Sequence, residues 1–178
     1  MRIYPDPSVF GGCFDSELKV PAGQLFEMFA RGDARLVLSD LTRSELDQVP
    51  WKVPTEYIEQ IGTFPEALEL AQLYLLEGVV GPKTHLDAVH VAIATIARVD
   101  VLVSWNFRDI VNLQKIGGYN AVNVRVGYPP LEIRPPNAVI PYGDPPSRAV
   151  EFMRQIRDQI NAKTDHGGPD PCPPTSSR

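Results

Sequence analysis

The chain has 178 residues, 43% hydrophobic and 22% charged, a balance that fits one globular domain with appendages and excludes whole-chain disorder or a fibrous repeat. Its formal net charge of −5 resides in residues 1–126, which hold 16 acidic and 11 basic residues, whereas residues 127–178 hold 6 of each. An acidic body argues against a broad basic face gripping nucleic acid, and leaves open phosphate binding through cations held by carboxylates.

Two cysteines, Cys13 and Cys172, are too few for a disulfide scaffold, so a reducing, cytoplasmic location is the expectation. No apolar run approaches the roughly 18 residues of a membrane span. The first residues, from Met1 to Asp6, form no apolar leader core, and no signal peptide is expected.

In chain order, residues 2–4 read as a short strand, and residues 24–30 as a helix carrying Leu25, Met28 and Phe29 on one face before Gly32. Residues 35–39 read as the second strand. Residues 42–49 follow as a helix opened by Thr42-x-x-Glu45, a capping-box pattern. Residues 56–61 and 65–77 are expected to be helical, and residues 85–98 carry Leu86, Val89, Ile93 and Ile96 at helical spacing. A strand at 101–104, a helix near 110–116 and a strand at 121–126, where valines alternate with polar residues, complete the pattern. Strands alternating with helices imply an α/β fold, with a mostly parallel sheet covered on both faces and joined by right-handed crossovers.

Proline content places the boundaries. Seven of the 18 prolines fall in residues 127–148, which read as an extended strap after a domain at 1–126. Residues 149–163 read as an amphipathic helix, with Val150, Met153, Ile156 and Ile160 on one stripe. That helix either packs on its own domain or docks a second copy or a partner. Residues 164–178, with four prolines, read as a disordered tail, and no internal repeat is visible.

In open parallel sheets, ligands collect outside the carboxyl ends of the strands. Asp6 and Ser8 follow the first strand, and Glu45 lies in the first turn of the helix after the second. Trp105 and Asn106 follow residues 101–104, and Asp87 begins the helix that feeds that strand. Three acids and an amide therefore converge from four segments. Clustered carboxylates are costly without a cation. Oxygen-only ligands suit Mg²⁺ or Mn²⁺, which organise phosphodiester cleavage by activating water and neutralising the leaving oxygen. Each residue also has a plainer reading: Glu45 closes the capping box with Thr42, Asp87 complements a helix dipole, and Asp6-Pro7 makes a turn. The convergence at one edge favours the cation.

Four segments, Tyr4-Pro5-Asp6-Pro7-Ser8-Val9-Phe10-Gly11-Gly12, Ser39-Asp40-Leu41-Thr42-Arg43-Ser44-Glu45-Leu46, Asp87-Ala88-Val89-His90-Val91-Ala92-Ile93-Ala94 and Val101-Leu102-Val103-Ser104-Trp105-Asn106-Phe107, come in the order of a PIN domain. Over about residues 1–126 the chain resembles the virulence-associated-protein-C-like toxins of type II toxin–antitoxin pairs. The resemblance implies a three-layer α/β/α fold and Mg²⁺- or Mn²⁺-dependent RNA cleavage, with Asp6, Glu45 and Asp87 as the metal-binding acids. It also implies an RNA substrate, an antitoxin protein as partner, and Ser8 as the small polar residue near the first acid. A homodimer is a further expectation.

Three positions depart from that pattern. Pro7 stands where the family usually has Thr or Ser, and Asn106 where many members have a fourth acid, although Trp-Asn is common in this branch. Asp109 stands where a histidine is expected, and is either neutral to function or a replacement acid one helical turn after Asn106.

His85, Asp87 and His90 invite a zinc reading, but no cysteine completes a tetrahedral set, and His90 is expected to pack beside the acid and hydrogen-bond a neighbour. Arg43 and Arg108 flank the site as candidates for RNA phosphates, and Trp105 is either a stacking platform or a partly buried strand-end residue. Two functional readings follow: a metal-dependent endoribonuclease with Asn106 assisting Asp6, Glu45 and Asp87, or a PIN-like module that holds RNA or protein without cleavage.

Overall fold

The computed structural model describes residues 1–46 and 53–141. The expected end of the 42–49 helix, the 149–163 helix, the 164–178 tail and the last part of the strap lie outside the described residues.

Five parallel strands form the sheet: β1 (Arg2–Pro5), β2 (Arg35–Ser39), β3 (Ile58–Ile61), β4 (Val101–Val103) and β5 (Ile133–Arg134), in the spatial order β3-β2-β1-β4-β5. Successive side chains of a strand face opposite sides, and the register turns that alternation into two cores. Ile3 pairs with Leu36 and Val101, and these residues, with Leu38 and Val103, face one side. Tyr4 pairs with Leu102, which pairs with Ile133, and these face the other side with Val37.

Helices α1 (Pro7–Gly12) and α2 (Lys19–Arg31) cover the first face through Val9, Phe10, Leu25, Phe26 and Phe29. Helices α4 (Pro65–Leu76), α5 (His85–Ile96) and α6 (Leu113–Arg125) cover the second through Leu70, Tyr74, Ala92, Ile93, Tyr119 and Val122. The architecture is three-layered, α/β/α. Fully burying each large aliphatic or aromatic side chain contributes about 1.5–3 kcal/mol relative to exposure. Helix α2 stops at Gly32, whose φ of 78° is left-handed, and the N–H groups of Gly32 and Asp33 close onto Phe29 and Met28.

Three expectations are corrected. Residues 121–125 end α6 and Val126 is its C-cap, because Tyr119, Val122 and Asn123 bury at helical spacing while Val124 and Val126 stay exposed. That helix starts at Asn112, whose side chain accepts from the N–H groups of Gln114 and Lys115, so the helix expected at 110–116 is shifted along the chain. Residues 58–61 of the expected 56–61 helix form β3, an edge strand whose backbone is held by β2, with a single 3₁₀ turn at Thr55–Tyr57 before it.

The fifth strand comes from the proline-rich segment after residue 126. Leu131 and Ile133 alternate with exposed Glu132 and Arg134, and an edge strand tolerates flanking prolines because one side of its backbone needs no partner. Val139 and Ile140 return to pack on the α1–α2 side. No helix among the described residues is long and apolar enough to cross a membrane.

Candidate metal centre

The sheet runs outward in opposite directions from β1, to β2 and β3 on one side and to β4 and β5 on the other. The topological switch point therefore lies between β1 and β4, and the crevice outside their carboxyl ends is where such sheets bind ligands. Asp6 leaves β1 there, and Ser104, Trp105 and Asn106 leave β4 there.

Hydrogen bonds lock the two strand ends together. The Asp6 N–H donates to the Val103 carbonyl at 3.0 Å, and the Trp105 N–H donates to the Ser8 hydroxyl at 2.9 Å. Ser8 in turn donates to the Asp6 carboxylate at 2.6 Å, and the Asn106 N–H donates to Ser104 Oγ at 2.9 Å. Ser8 thus positions the first acid as well as bracing the crevice. Trp105 packs its indole against α1 at Gly12, where an added Cβ would lie 2.6 Å from Nε1. Trp105 is accordingly the partly buried strand-end residue of the two sequence readings, and it fixes the backbone that carries Asn106.

Asp6 is only 4% exposed and occupies the position before α1, yet its side chain does not cap that helix. Burial raises its pKa above the ordinary carboxylate value, outweighing the hydrogen bonds of Ser8 and Ser104 and the nearby His90. No salt bridge reaches it among the described residues. The turn reading of Asp6-Pro7 explains the backbone and leaves this buried charge unexplained.

Asp87 lies in the first turn of α5, as the dipole reading requires. A carboxylate governed by the dipole would have a lowered pKa; that of Asp87 is raised, by burial first and by Asp109 second, against the opposing effects of His90, Asn106 and Arg108. The Asn106 side chain lies between Asp87 and the backbone of the 107–110 turn. It hydrogen-bonds Asp87, and its Oδ1 accepts from the Asp109 N–H at 2.9 Å.

Asp109 is not a free replacement acid. Its carboxylate pairs with Lys115 and with Arg108 Nε, the latter at 2.7 Å, in a turn rather than a helix. Burial raises its pKa, but the hydrogen bonds from Lys115 and Arg108 prevail and leave it lowered. Lys115 gave no sequence signal, because its partner lies across the turn that precedes α6.

Glu45 is the last residue of α3 (Asp40–Glu45). The capping-box reading is corrected here: Ser39 caps α3 by accepting from the Thr42 N–H at 3.0 Å, and Glu45 turns instead to His90 Nε2 at 3.2 Å. His90 Nδ1 meets the Tyr4 hydroxyl at 2.8 Å. With both ring nitrogens engaged, His90 has none left for zinc.

Arg43 is exposed and donates to Gln60 on β3 at 2.5 Å, whereas Arg108, 82% exposed, stands beside the Asp87–Asp109 pair. Phe107, exposed next to Trp105 with ring centroids 6.2 Å apart, is a further aromatic at this rim that the sequence did not single out.

The donors are oxygens throughout, from Asp6, Asp87, Asn106 and Glu45, which fits a hard divalent cation such as Mg²⁺ or Mn²⁺. Each has its own partner: Ser8 for Asp6, His90 for Glu45, Asn106 for Asp87. Among the described residues no three His, Cys, Asp or Glu side chains lie close enough together to hold one ion.

The opposite, amino edge of the sheet is built differently. Arg2 forks onto Glu59 and caps the carbonyls of Ala97 and Arg98, and its N–H donates to Asp100 at 2.6 Å. Charge is neutralised by an ion pair there, whereas no salt bridge reaches Asp6 among the described residues. Neither a family model nor a curated protein matches the chain.

Proposed function

We propose that the chain is a divalent-cation-dependent endoribonuclease of the PIN type, the toxin of a toxin–antitoxin pair acting in the cytoplasm. The observation that carries this reading is Asp6. It is a buried carboxylate that no salt bridge reaches among the described residues, at the switch point of a parallel sheet, with His90 near both it and Asp87. The four motif segments, in PIN order, support the same reading.

On this reading Asp6, Glu45 and Asp87 would hold the cation, drawn together by it from the wider spacing they have without one, with Asn106 next to Asp87. Bound there, Mg²⁺ or Mn²⁺ supplies positive charge to a scissile phosphate and lowers the pKa of an attacking water. Ser8 and Ser104 keep the Asp6 carboxylate aimed by hydrogen bonding. Arg108 is placed to meet a neighbouring RNA phosphate; Arg43, tied to Gln60, contributes further along the edge. Hydrolysis breaks a phosphorus–oxygen bond of the RNA, with water adding to phosphorus and a proton passing to the leaving oxygen.

A second reading, a PIN-like module that binds RNA or protein without cleaving, draws on the neutral Asn106 and on the spread of the acids. Stripping the chain with EDTA and offering labelled single-stranded RNA separates the two. Cleavage is expected to be absent in EDTA and restored by Mn²⁺ or Mg²⁺. RNA binding with no cleavage at any concentration of either cation would support the module instead.

A further inference from the structure

Beneath Glu45 lies a polar network that the proposed cleavage does not by itself require. Tyr4 from β1, Ser39 and Thr42 from the start of α3, and His90 from α5 are all buried, His90 to 2% exposure. The Tyr4 hydroxyl lies 2.8 Å from Ser39 Oγ, 3.0 Å from Thr42 Oγ1 and 2.8 Å from His90 Nδ1. Among the described residues the network has one outlet, His90 Nε2 to the Glu45 carboxylate, whose side chain is 30% exposed.

The direction of each bond follows from chemistry. A carboxylate oxygen only accepts, so Nε2 carries the hydrogen. In a neutral imidazole Nδ1 is then the acceptor, and the Tyr4 hydroxyl donates to it. Burial raises the Tyr4 pKa, which keeps that proton on the phenol. The Tyr4 oxygen is left to accept from Ser39 or Thr42, and Ser39 Oγ is itself anchored by the Thr42 backbone N–H. The tautomer of His90 is thus set from the backbone of α3 outward.

Helix α3 has six residues, and Leu46 after it is already extended. A helix this short gives its last residue little intrinsic order. Among the described residues, what holds the Glu45 carboxylate is the contact from α5. A hydrogen bond to a charged group is shorter and stronger than one between neutral groups, so it orders a carboxylate that the end of a six-residue helix leaves loose.

We propose that His90 is a positioning residue: locked in the Nε2–H tautomer by the Tyr4 hydroxyl, it holds the Glu45 carboxylate at the mouth of the crevice for the cation. This rests on the metal-binding reading above. Partners of metal-binding carboxylates commonly change metal affinity about 10–100-fold when replaced.

Two amides of different reach test it. Asparagine at position 90 can meet Tyr4 but falls short of Glu45, whereas the longer glutamine places an N–H near the former Nε2. In calorimetric titration of the full chain with Mn²⁺, His90→Asn is expected to weaken binding by about 10–100-fold, and His90→Gln to recover most of the loss. Melting temperatures recorded for both separate this from a packing defect, which would strike both alike. Nitrogen-15 spectra of the imidazole should show the Nε2–H tautomer in the wild type and a mixture in Tyr4→Phe.

Wild-type binding together with an unweakened asparagine variant, a glutamine variant as weak as the asparagine one, or an Nδ1–H ring would overturn the positioning role alone. A wild-type chain that binds no Mn²⁺ would overturn the metal reading and this inference with it.

Discussion

Asp87→Asn is expected to lower Mn²⁺-dependent RNA cleavage by about 100-fold or more, equivalent to about 2.7 kcal/mol of transition-state stabilisation, while leaving the fold intact. Asp87 sits partly buried near Asp109, and burial and that neighbour raise its pKa, so both disfavour its charged form. Removing the charge relieves both costs, and the asparagine carbonyl still accepts from Asn106. The variant should therefore melt no lower than the wild type in EDTA. Loss of activity with an unchanged or raised melting temperature marks a functional carboxylate. Glu69→Gln, an exposed acid on α4, is the matched control and should change neither quantity. Full activity in Asp87→Asn would remove the acid from the mechanism.

Asp6→Asn is expected to carry the same signature more strongly, gain of stability with loss of activity, and its gain depends on pH. The ordinary carboxylate value is 3.8, and burial raises that of folded Asp6 above it. Between the two values the folded chain retains a proton that the unfolded chain has released, so stability falls as pH rises through that window. Above the folded pKa the whole cost of the buried charge is present. An asparagine titrates nowhere, and its carbonyl still accepts from Ser8. In EDTA the variant and wild type should melt together near pH 3.5, with the variant melting progressively higher toward pH 7.

Asp40, Glu59 and Asp109, whose pKa values are lowered, add stability as pH rises, but equally in both proteins, so the difference isolates Asp6. Mn²⁺ at pH 7 should raise the wild-type melting temperature and not that of the variant, reversing their order through binding linkage. A variant that melts below wild type at pH 7 in EDTA would show that Asp6 is a structural acid.

The parallel sheet and the placement of Asp6, Asp87 and Asn106 were legible because each rests on a strong local signal: a short apolar strand followed at once by a polar residue, or an apolar helix with an acid in its first turn. Residues 121–126 misled because β-branched residues at alternate positions mimic a strand. The burial of Tyr119, Val122 and Asn123 against α4 and α5 overrides that preference, and the cap at Asn112 is the signal that would have placed the helix. β3 and β5 were hidden for a different reason. Both are short edge strands, and their order comes from pairing with β2 and β4 rather than from their own periodicity.

At the site, sequence placed Glu45 in a capping box, but the hydroxyl that caps α3 belongs to Ser39, three residues before Thr42. That shift frees Glu45 for His90, a partner 45 residues away that local pattern cannot disclose. The same holds for Lys115 and Asp109, whose pairing depends on a turn rather than on helical spacing.

The claim that a divalent cation belongs in the crevice between β1 and β4 is tested most directly by paramagnetic broadening. Substoichiometric Mn²⁺ is added to the nitrogen-15-labelled full chain and the backbone amide signals are followed. Signals of Asp6, Ser8, Asp87, Ser104 and Asn106 are expected to vanish first, while those of Arg2 and Asp100 at the amino edge persist. Broadening centred elsewhere, as at Asp40 and Thr63, or no selective broadening at all, would contradict the assignment of this crevice as a metal site.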